Sequence, residues 1–215
     1  MTISGSPRAP SKRVAPRVVY DGPGLSGVTT TLCALGWGDF RDWLPDAPGT
    51  DHSVRTLDLD GVSLVVDKAN ASSLYRPYLD PRHPEGGAPT TEYGLSRRDS
   101  LERLDGVVFV ADSQRARSKH NEARLDRLLA DLRYVGRVPS QLPLVVQLNK
   151  RDLDGVRPPE HPGALLSVEE LRAALPWPGP VRYVPSSAVR GWGVREALCA
   201  VLELLALGPR GVGGG

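Results

Sequence analysis

Arg17-Val18-Val19-Tyr20-Asp21-Gly22-Pro23-Gly24-Leu25-Ser26-Gly27-Val28-Thr29-Thr30-Thr31-Leu32 passes from a β-branched run through a glycine-rich turn into helix-compatible residues. Arg17–Tyr20 predicts a short strand and Thr29–Leu35 a helix, so the stretch is a strand, loop, helix unit. Gly22 and Gly27 stand five apart with Thr29 two residues further on, the spacing of a phosphate-binding loop, except that Val28 occupies the lysine position. In such a loop small residues let backbone N–H groups turn inward around an anion, and the helix start adds partial positive charge. Thr29 would place its hydroxyl on Mg2+. A strand-to-helix turn rich in glycine is also an ordinary structural device, so the loop needs company to carry a function.

Working outward, Thr56–Leu59 and Val62–Val66 read as strands joined by Asp60-Gly61, a hairpin signal. The segment 71–97 dissolves into Pro, Gly, Tyr and Arg and reads as an inserted loop. Asp99–Leu104 can make a helical turn, and Gly106–Ala111 is a continuous apolar run suited to a central strand covered on both faces. Leu125, Leu128, Leu129 and Leu132 recur at helical spacing, with Gly136 as the stop. Leu142–Leu148 predicts another buried strand, Ser167 and Glu170 a capping box opening a helix to Leu175, and Val181–Val184 the last strand. Val194, Ala197, Leu198, Val201, Leu202 and Leu205 share one face of a closing helix. Strands alternating with helices predict an α/β fold, a mostly parallel six-stranded sheet with helices on both faces. The domain runs over 17–207, between a basic arm at 1–16, expected to be disordered, and a flexible glycine-rich tail at 208–215.

Two further segments follow predicted strands. Asn149-Lys150-Arg151-Asp152 has the N-K-x-D form that reads guanine. The Asp152 carboxylate would accept from the ring N–H and the exocyclic amine, an arrangement that adenine does not offer. Asn149 would tie this segment to the phosphate loop, and the aliphatic stem of Lys150 would lie against the base, using its stem more than its charge. Ser186-Ser187-Ala188 stands where a backbone N–H can meet the carbonyl oxygen of the base. Each piece alone reads equally as a polar turn, for which Asn, Asp and Ser are ordinary choices. Three such signals in this order, each after a strand, point to a guanine-nucleotide domain holding GTP or GDP.

The bulk composition excludes several classes. With 27 basic and 25 acidic residues the formal charge is +2, which gives no case for nucleic acid as a partner. Cys33 and Cys199 lie in apolar segments without disulfide or metal spacing, and the four histidines stand apart, so neither a metal centre nor a catalytic triad is expected. No run of about 18 apolar residues exists, and the termini carry no myristoylation or prenylation signal, so no direct membrane anchor and a cytoplasmic location are expected.

Val18–Leu32 (VVYDGPGLSGVTTTL), Asp105–Ala116 (DGVVFVADSQRA) and Pro143–Leu153 (PLVVQLNKRDL) resemble the bacterial small Ras-like GTPases of the mutual gliding protein A type, which govern cell polarity and gliding motility. The resemblance implies a P-loop NTPase G domain with five helices, GTP or GDP with Mg2+, partner proteins sensing the switch regions, and a roadblock-type regulator. Carried over by position, Gly22, Gly24, Gly27, Thr29 and Thr30 resemble phosphate and magnesium contacts, and Asn149, Lys150, Asp152 and Ala188 resemble base contacts. With Ser26 and Val28 of the loop and Ser187 of the second base segment, these form the expected cofactor site, with Thr29 as metal ligand and no catalytic residue.

The departures are equally specific. Val28 replaces the lysine, and Asp67-Lys68-Ala69-Asn70-Ala71 stands where the family has its switch glycine and catalytic glutamine. Without them the γ-phosphate sensor and the group that orients water are absent. Losing the ammonium alone removes a contact of about 1.5–3 kcal/mol, roughly tenfold to hundredfold in affinity. Three readings stay open: a guanine-nucleotide-binding regulator with impaired hydrolysis, a nucleotide-free pseudo-GTPase adaptor, and a displaced cation in which Lys68 reaches the phosphates. The 71–97 loop, with Tyr75, Arg76, Tyr78, Arg82 and Tyr93, has the composition of a protein interface or of a solvated loop.

Overall fold

The computed structural model describes residues 15–36, 54–59, 62–68, 100–156, 161 and 164–207. Most of the basic arm, the Asp60-Gly61 turn, the 71–97 insertion and the 208–215 tail lie outside the described residues.

Six strands form one sheet: β1 (Arg17–Asp21), β2 (Val54–Leu59), β3 (Val62–Lys68), β4 (Gly106–Asp112), β5 (Leu144–Asn149) and β6 (Val181–Pro185). Their order across the sheet is β2-β3-β1-β4-β5-β6, and every pairing is parallel except β2 with β3. The antiparallel edge pair is the expected hairpin, with Leu59 opposite Val62. β3 runs through Asp67 and Lys68, past the Val62–Val66 run that the sequence marks. Parallel pairing with β1, Val19 opposite Asp67 and Tyr20 opposite Lys68, extends the strand where residue type alone argues for its end.

Helices cover the sheet, among them α1 (Val28–Ala34), α2 (Ser118–Tyr134), α3 (Val168–Ala174) and α4 (Val194–Leu207), and residues 100–102 are helical as well. Side chains alternate between the two faces of a strand, so each continuous apolar run feeds two cores. Val18, Tyr20, Val108, Val110 and Val145 pack with Val28 and Leu32 of α1 and with Leu198 and Val201 of α4. Val19, Val107, Phe109, Leu144 and Val146 pack with Leu125, Leu128 and Leu132 of α2 and with Leu171 of α3. β4 and β5 are buried along their whole length, as strands covered on both faces must be.

Local chemistry sets the helix ends. α2 closes in a Schellman pattern, with Gly136 N–H on the Arg133 carbonyl at 3.0 Å and Arg137 N–H on the Leu132 carbonyl at 2.9 Å; Gly136 supplies the left-handed φ of +78°. α3 opens on the capping box that the sequence marks: Glu170 N–H donates to Ser167 Oγ at 3.0 Å, and Ser167 N–H to Glu170 Oε2 at 2.7 Å. None of the described helices is long and apolar enough to cross a membrane.

Candidate functional site

The carboxyl ends of β1, β4, β5 and β6 deliver the chosen residues to one edge of the sheet, where open α/β sheets hold ligands. After Asp21 the chain turns sharply, with Ser26 N–H on the Pro23 carbonyl at 3.1 Å, and enters α1 through Gly27 at φ +101°. A Cβ on Gly27 would stand 2.3 Å from Asn149 Nδ2, so glycine there answers both a left-handed backbone and a close approach. A Cβ on Gly22 would stand 2.4 Å from the Val110 carbonyl oxygen. The loop is therefore pressed onto the strand ends.

Asn149 is the joint between the loop and the base segments. Only 3% exposed, it donates from Nδ2 to the Ser26 carbonyl at 2.8 Å and accepts at Oδ1 from Ala188 N–H, also at 2.8 Å. Asp152 accepts at Oδ1 from Ser187 Oγ at 2.7 Å, which ties the two base segments together a second time. The structure thus gathers Gly22, Gly24, Ser26, Gly27, Asn149, Asp152, Ser187 and Ala188 on connected loops. Ala188 N–H, expected to face the base carbonyl, is engaged by Asn149.

Lys150 differs from its expected role in one respect. It takes a left-handed φ of +69°, and its ammonium binds Asp112 Oδ2 at 2.7 Å, so its charge has a structural use. Asp112 is a buried hub: its Oδ1 accepts from Gln114 N–H at 3.0 Å, and Asn121 brackets its backbone through Nδ2 to the carbonyl and Oδ1 from the N–H. Arg117, 3.7 Å from Asp112 Oδ2, donates to the Gly24 carbonyl of the phosphate loop at 2.6 Å. Base and phosphate segments are joined here too.

The phosphate end is built differently. Val28 is 5% exposed and packs into the α1–α4 core, so its side chain fills space and offers no charge. Thr29 is half-buried and Thr30 exposed. The Thr29 hydroxyl accepts a hydrogen bond from Lys68 Nζ at 2.8 Å. Burial pulls the Lys68 pKa below the ordinary lysine range, against a rise from Cys33. Asp67, the neighbour of Lys68, is fully buried and accepts from Ser100 Oγ. Asn70 and Ala71, which replace the switch residues, lie outside the described residues.

Two residues that sequence reasoning passed over also meet the loop. Arg124 of α2 donates from Nε to the buried Asp21 Oδ1 at 2.6 Å, and Gly22 N–H donates to the same oxygen at 2.6 Å. Arg117 holds Gly24 as described. The available signal was Asp21 itself, a carboxylate at the end of an apolar strand, which burial obliges to find a cation.

A nucleotide fits this edge on one direct observation: Ser26 Oγ, fully buried inside the loop, has no hydrogen-bond partner among the described residues. Thr29 is the oxygen expected to hold Mg2+, and its hydroxyl here accepts from Lys68. An ammonium hydrogen-bonded to Thr29 Oγ1 and a Mg2+ about 2.1 Å from the same atom would be at most about 5 Å apart. At an effective dielectric constant of about 20 that repulsion is about 7 kcal/mol before phosphate charge offsets it.

No family model matches the chain. It is 32% identical over 201 residues to the mutual gliding-motility protein MglA of Myxococcus xanthus, covering 91% of this chain and 92% of that protein. It is 31% identical over 100 residues to ADP-ribosylation factor-like protein 2 of Arabidopsis thaliana, covering 46% of this chain and 49% of that one. Among solved structures it matches the Arl6 BBS3 small GTPase of Trypanosoma brucei with bound nucleotide analogue GppNp, at a TM-score of 0.56 and 19% identity, over 91% of this chain and 99% of that one. The fold is that of the small GTPases, and by its identity and coverage the chain belongs to the Ras-like family of the mutual gliding-motility protein MglA.

Proposed function

We propose that the chain binds guanine nucleotides as a cytoplasmic regulator, with impaired GTP hydrolysis, and acts through protein partners in polarity or motility control. The observation that carries this reading is Asn149, whose two amide atoms bond the phosphate loop at Ser26 and the second base segment at Ala188. This joint holds the two loops at a fixed separation, as a base and its phosphates would require. Asp152 keeps one carboxylate oxygen on Ser187 and has a second with which to read the base.

Slow hydrolysis follows from the residues at 67–71, none of which is a glutamine able to orient water, and from Val28. The partners would read the switch region and the 71–97 loop, a roadblock-type regulator among them, as its relatives' family suggests. The pseudo-GTPase adaptor is a second reading, favoured by the engagement of Ala188 N–H inside the protein.

Titration with fluorescent GDP and GTP analogues, competed by unlabelled GDP, ADP and XDP, tests the proposal. GDP should compete better than ADP by on the order of a hundredfold, because a base lacking the amine and ring N–H leaves Asp152 unanswered. Asp152→Asn should weaken guanine binding roughly tenfold to hundredfold and shift preference to xanthine, whose carbonyl replaces the amine and can accept from the new amide. Failure of both analogues to bind overturns the proposal and leaves the adaptor reading.

A further inference from the structure

Leu25, in the middle of the phosphate loop, has φ +68°, a left-handed backbone that residues other than glycine and asparagine seldom take. Its side chain is 75% exposed, so packing of that side chain does not impose the conformation. The peptide before it is held from outside the loop. Arg117, the last residue of the 3-10 turn Arg115–Arg117 that leads into α2, donates from Nη2 to the Gly24 carbonyl at 2.6 Å. Across a trans peptide the carbonyl oxygen and the next N–H point in opposite directions, so a Gly24 carbonyl turned towards Arg117 turns the Leu25 N–H away from it. That is the sense an anion-binding loop requires, with carbonyls outward and N–H groups inward.

Arg117 is in turn placed beside Asp112. Its Nε lies 3.7 Å from Asp112 Oδ2, buried and without a hydrogen-bond partner among the described residues, while the Lys150 ammonium takes that same oxygen at 2.7 Å. One fully buried carboxylate thus stands between the lysine of the base segment and the arginine that holds the phosphate loop. While Lys150 balances it, Arg117 is left to Gly24. With that charge removed, the carboxylate draws the guanidinium closer and off the loop, because a buried carboxylate is strongly destabilised without a close cation.

We propose that Arg117 is a positioning residue for nucleotide binding: it holds the Leu25 N–H towards the phosphates, and through Asp112 its grip depends on Lys150. The inference rests on the nucleotide reading above and adds how the base corner and the phosphate loop act on each other.

The test is displacement of N-methylanthraniloyl-GDP from the full-length chain by unlabelled GDP and GMP. Contacts to the base are common to both and cancel in the ratio of their affinities, which reads the hold on the second phosphate. Arg117→Met keeps the apolar stem and removes the donor and the charge; the GDP-to-GMP ratio should fall roughly tenfold, the worth of one charge-assisted hydrogen bond. Arg117→Lys keeps the charge and a donor for the single bond to Gly24, and should hold the ratio within about threefold of the wild type. Lys150→Met should also lower the ratio, by roughly threefold or more, yet in the Arg117→Met background it should lower it no further. Melting curves fix a temperature at which every variant is folded, and Arg117→Gln repeats the comparison should methionine destabilise the turn.

An unchanged ratio in Arg117→Met, or an equal loss of GDP and GMP, overturns the positioning role. A ratio that Lys150→Met leaves unchanged, or lowers as much in the double variant as alone, overturns the dependence on Lys150. Absence of binding of either nucleotide to the wild type overturns the nucleotide reading itself and this inference with it.

Discussion

The base corner and the phosphate corner sit on the same edge of one sheet, yet they are held by different chemistry. At the base corner an amide, a hydroxyl and a carboxylate make the contacts: Asn149 bonds Ser26 and Ala188, and Asp152 bonds Ser187, each at 2.7 to 2.8 Å. At the phosphate corner the contacts are made by cations: Lys68 donates to Thr29, and Arg124 to Asp21. On the proposed nucleotide reading, the difference follows from what each part of the ligand demands. A base edge presents a fixed pattern of donors and acceptors, so the groups that read it must sit at set positions. A phosphate demands positive charge nearby, and charge can arrive from any element that reaches the spot.

Asn149→Ala should give the largest effect of those that break this contrast. It leaves the buried Ser26 carbonyl and Ala188 N–H without the amide that satisfies both, and two orphaned groups at about 1–3 kcal/mol each predict a loss of about 2–6 kcal/mol. Urea denaturation measures it directly. A loss below about 1 kcal/mol would mean that the base corner is no more constrained than the phosphate corner.

Arg124→Ala comes next. It removes a charge-assisted bond to the fully buried Asp21 at the root of the phosphate loop, which predicts a loss of about 1.5–3 kcal/mol in the same experiment. Asp21→Asn paired with it should recover part of that loss, since the double variant no longer buries an unbalanced carboxylate. If the double variant is as unstable as the sum of the singles, the two side chains act independently and the long-range bond carries little.

How much of this was legible beforehand depends on how local each contact is. The runs Gly106–Ala111 and Leu142–Leu148 announce buried strands because a strand covered on both faces is apolar nearly throughout, and the capping box at Ser167 and Glu170 announces a helix start because its two bonds are local. The base segments are legible for the same reason, being consecutive residues after a strand. The bond between Arg124 and Asp21 is not, because periodicity reports which face a residue takes and says nothing of its partner in another element. Lys68 is an intermediate case. Its residue type marks the end of the apolar run, but β1 carries the ladder two residues further and so aims the ammonium at the loop. Lys150 shows the converse: the motif was legible, while the buried Asp112 that holds its charge lies at the end of β4, outside the motif.

The smallest expected effect sharpens the local side of the contrast. Glu170 has its pKa held below the ordinary carboxylate range, first by the Ser167 N–H that it caps and further by Arg115, whose guanidinium lies 3.2 Å away. A carboxylate with a depressed folded-state pKa contributes stability above its unfolded value, near pH 4.3, and that contribution is lost as pH falls through the folded value. Glutamine can still accept from Ser167 N–H but does not titrate, so Glu170→Gln should keep the cap and remove the pH dependence. Between about pH 5.5 and pH 3.5 the melting temperature of the wild type should therefore fall further than that of the variant. Equal falls would show that the cap holds Glu170 whether or not it is charged, leaving the start of α3 to geometry alone.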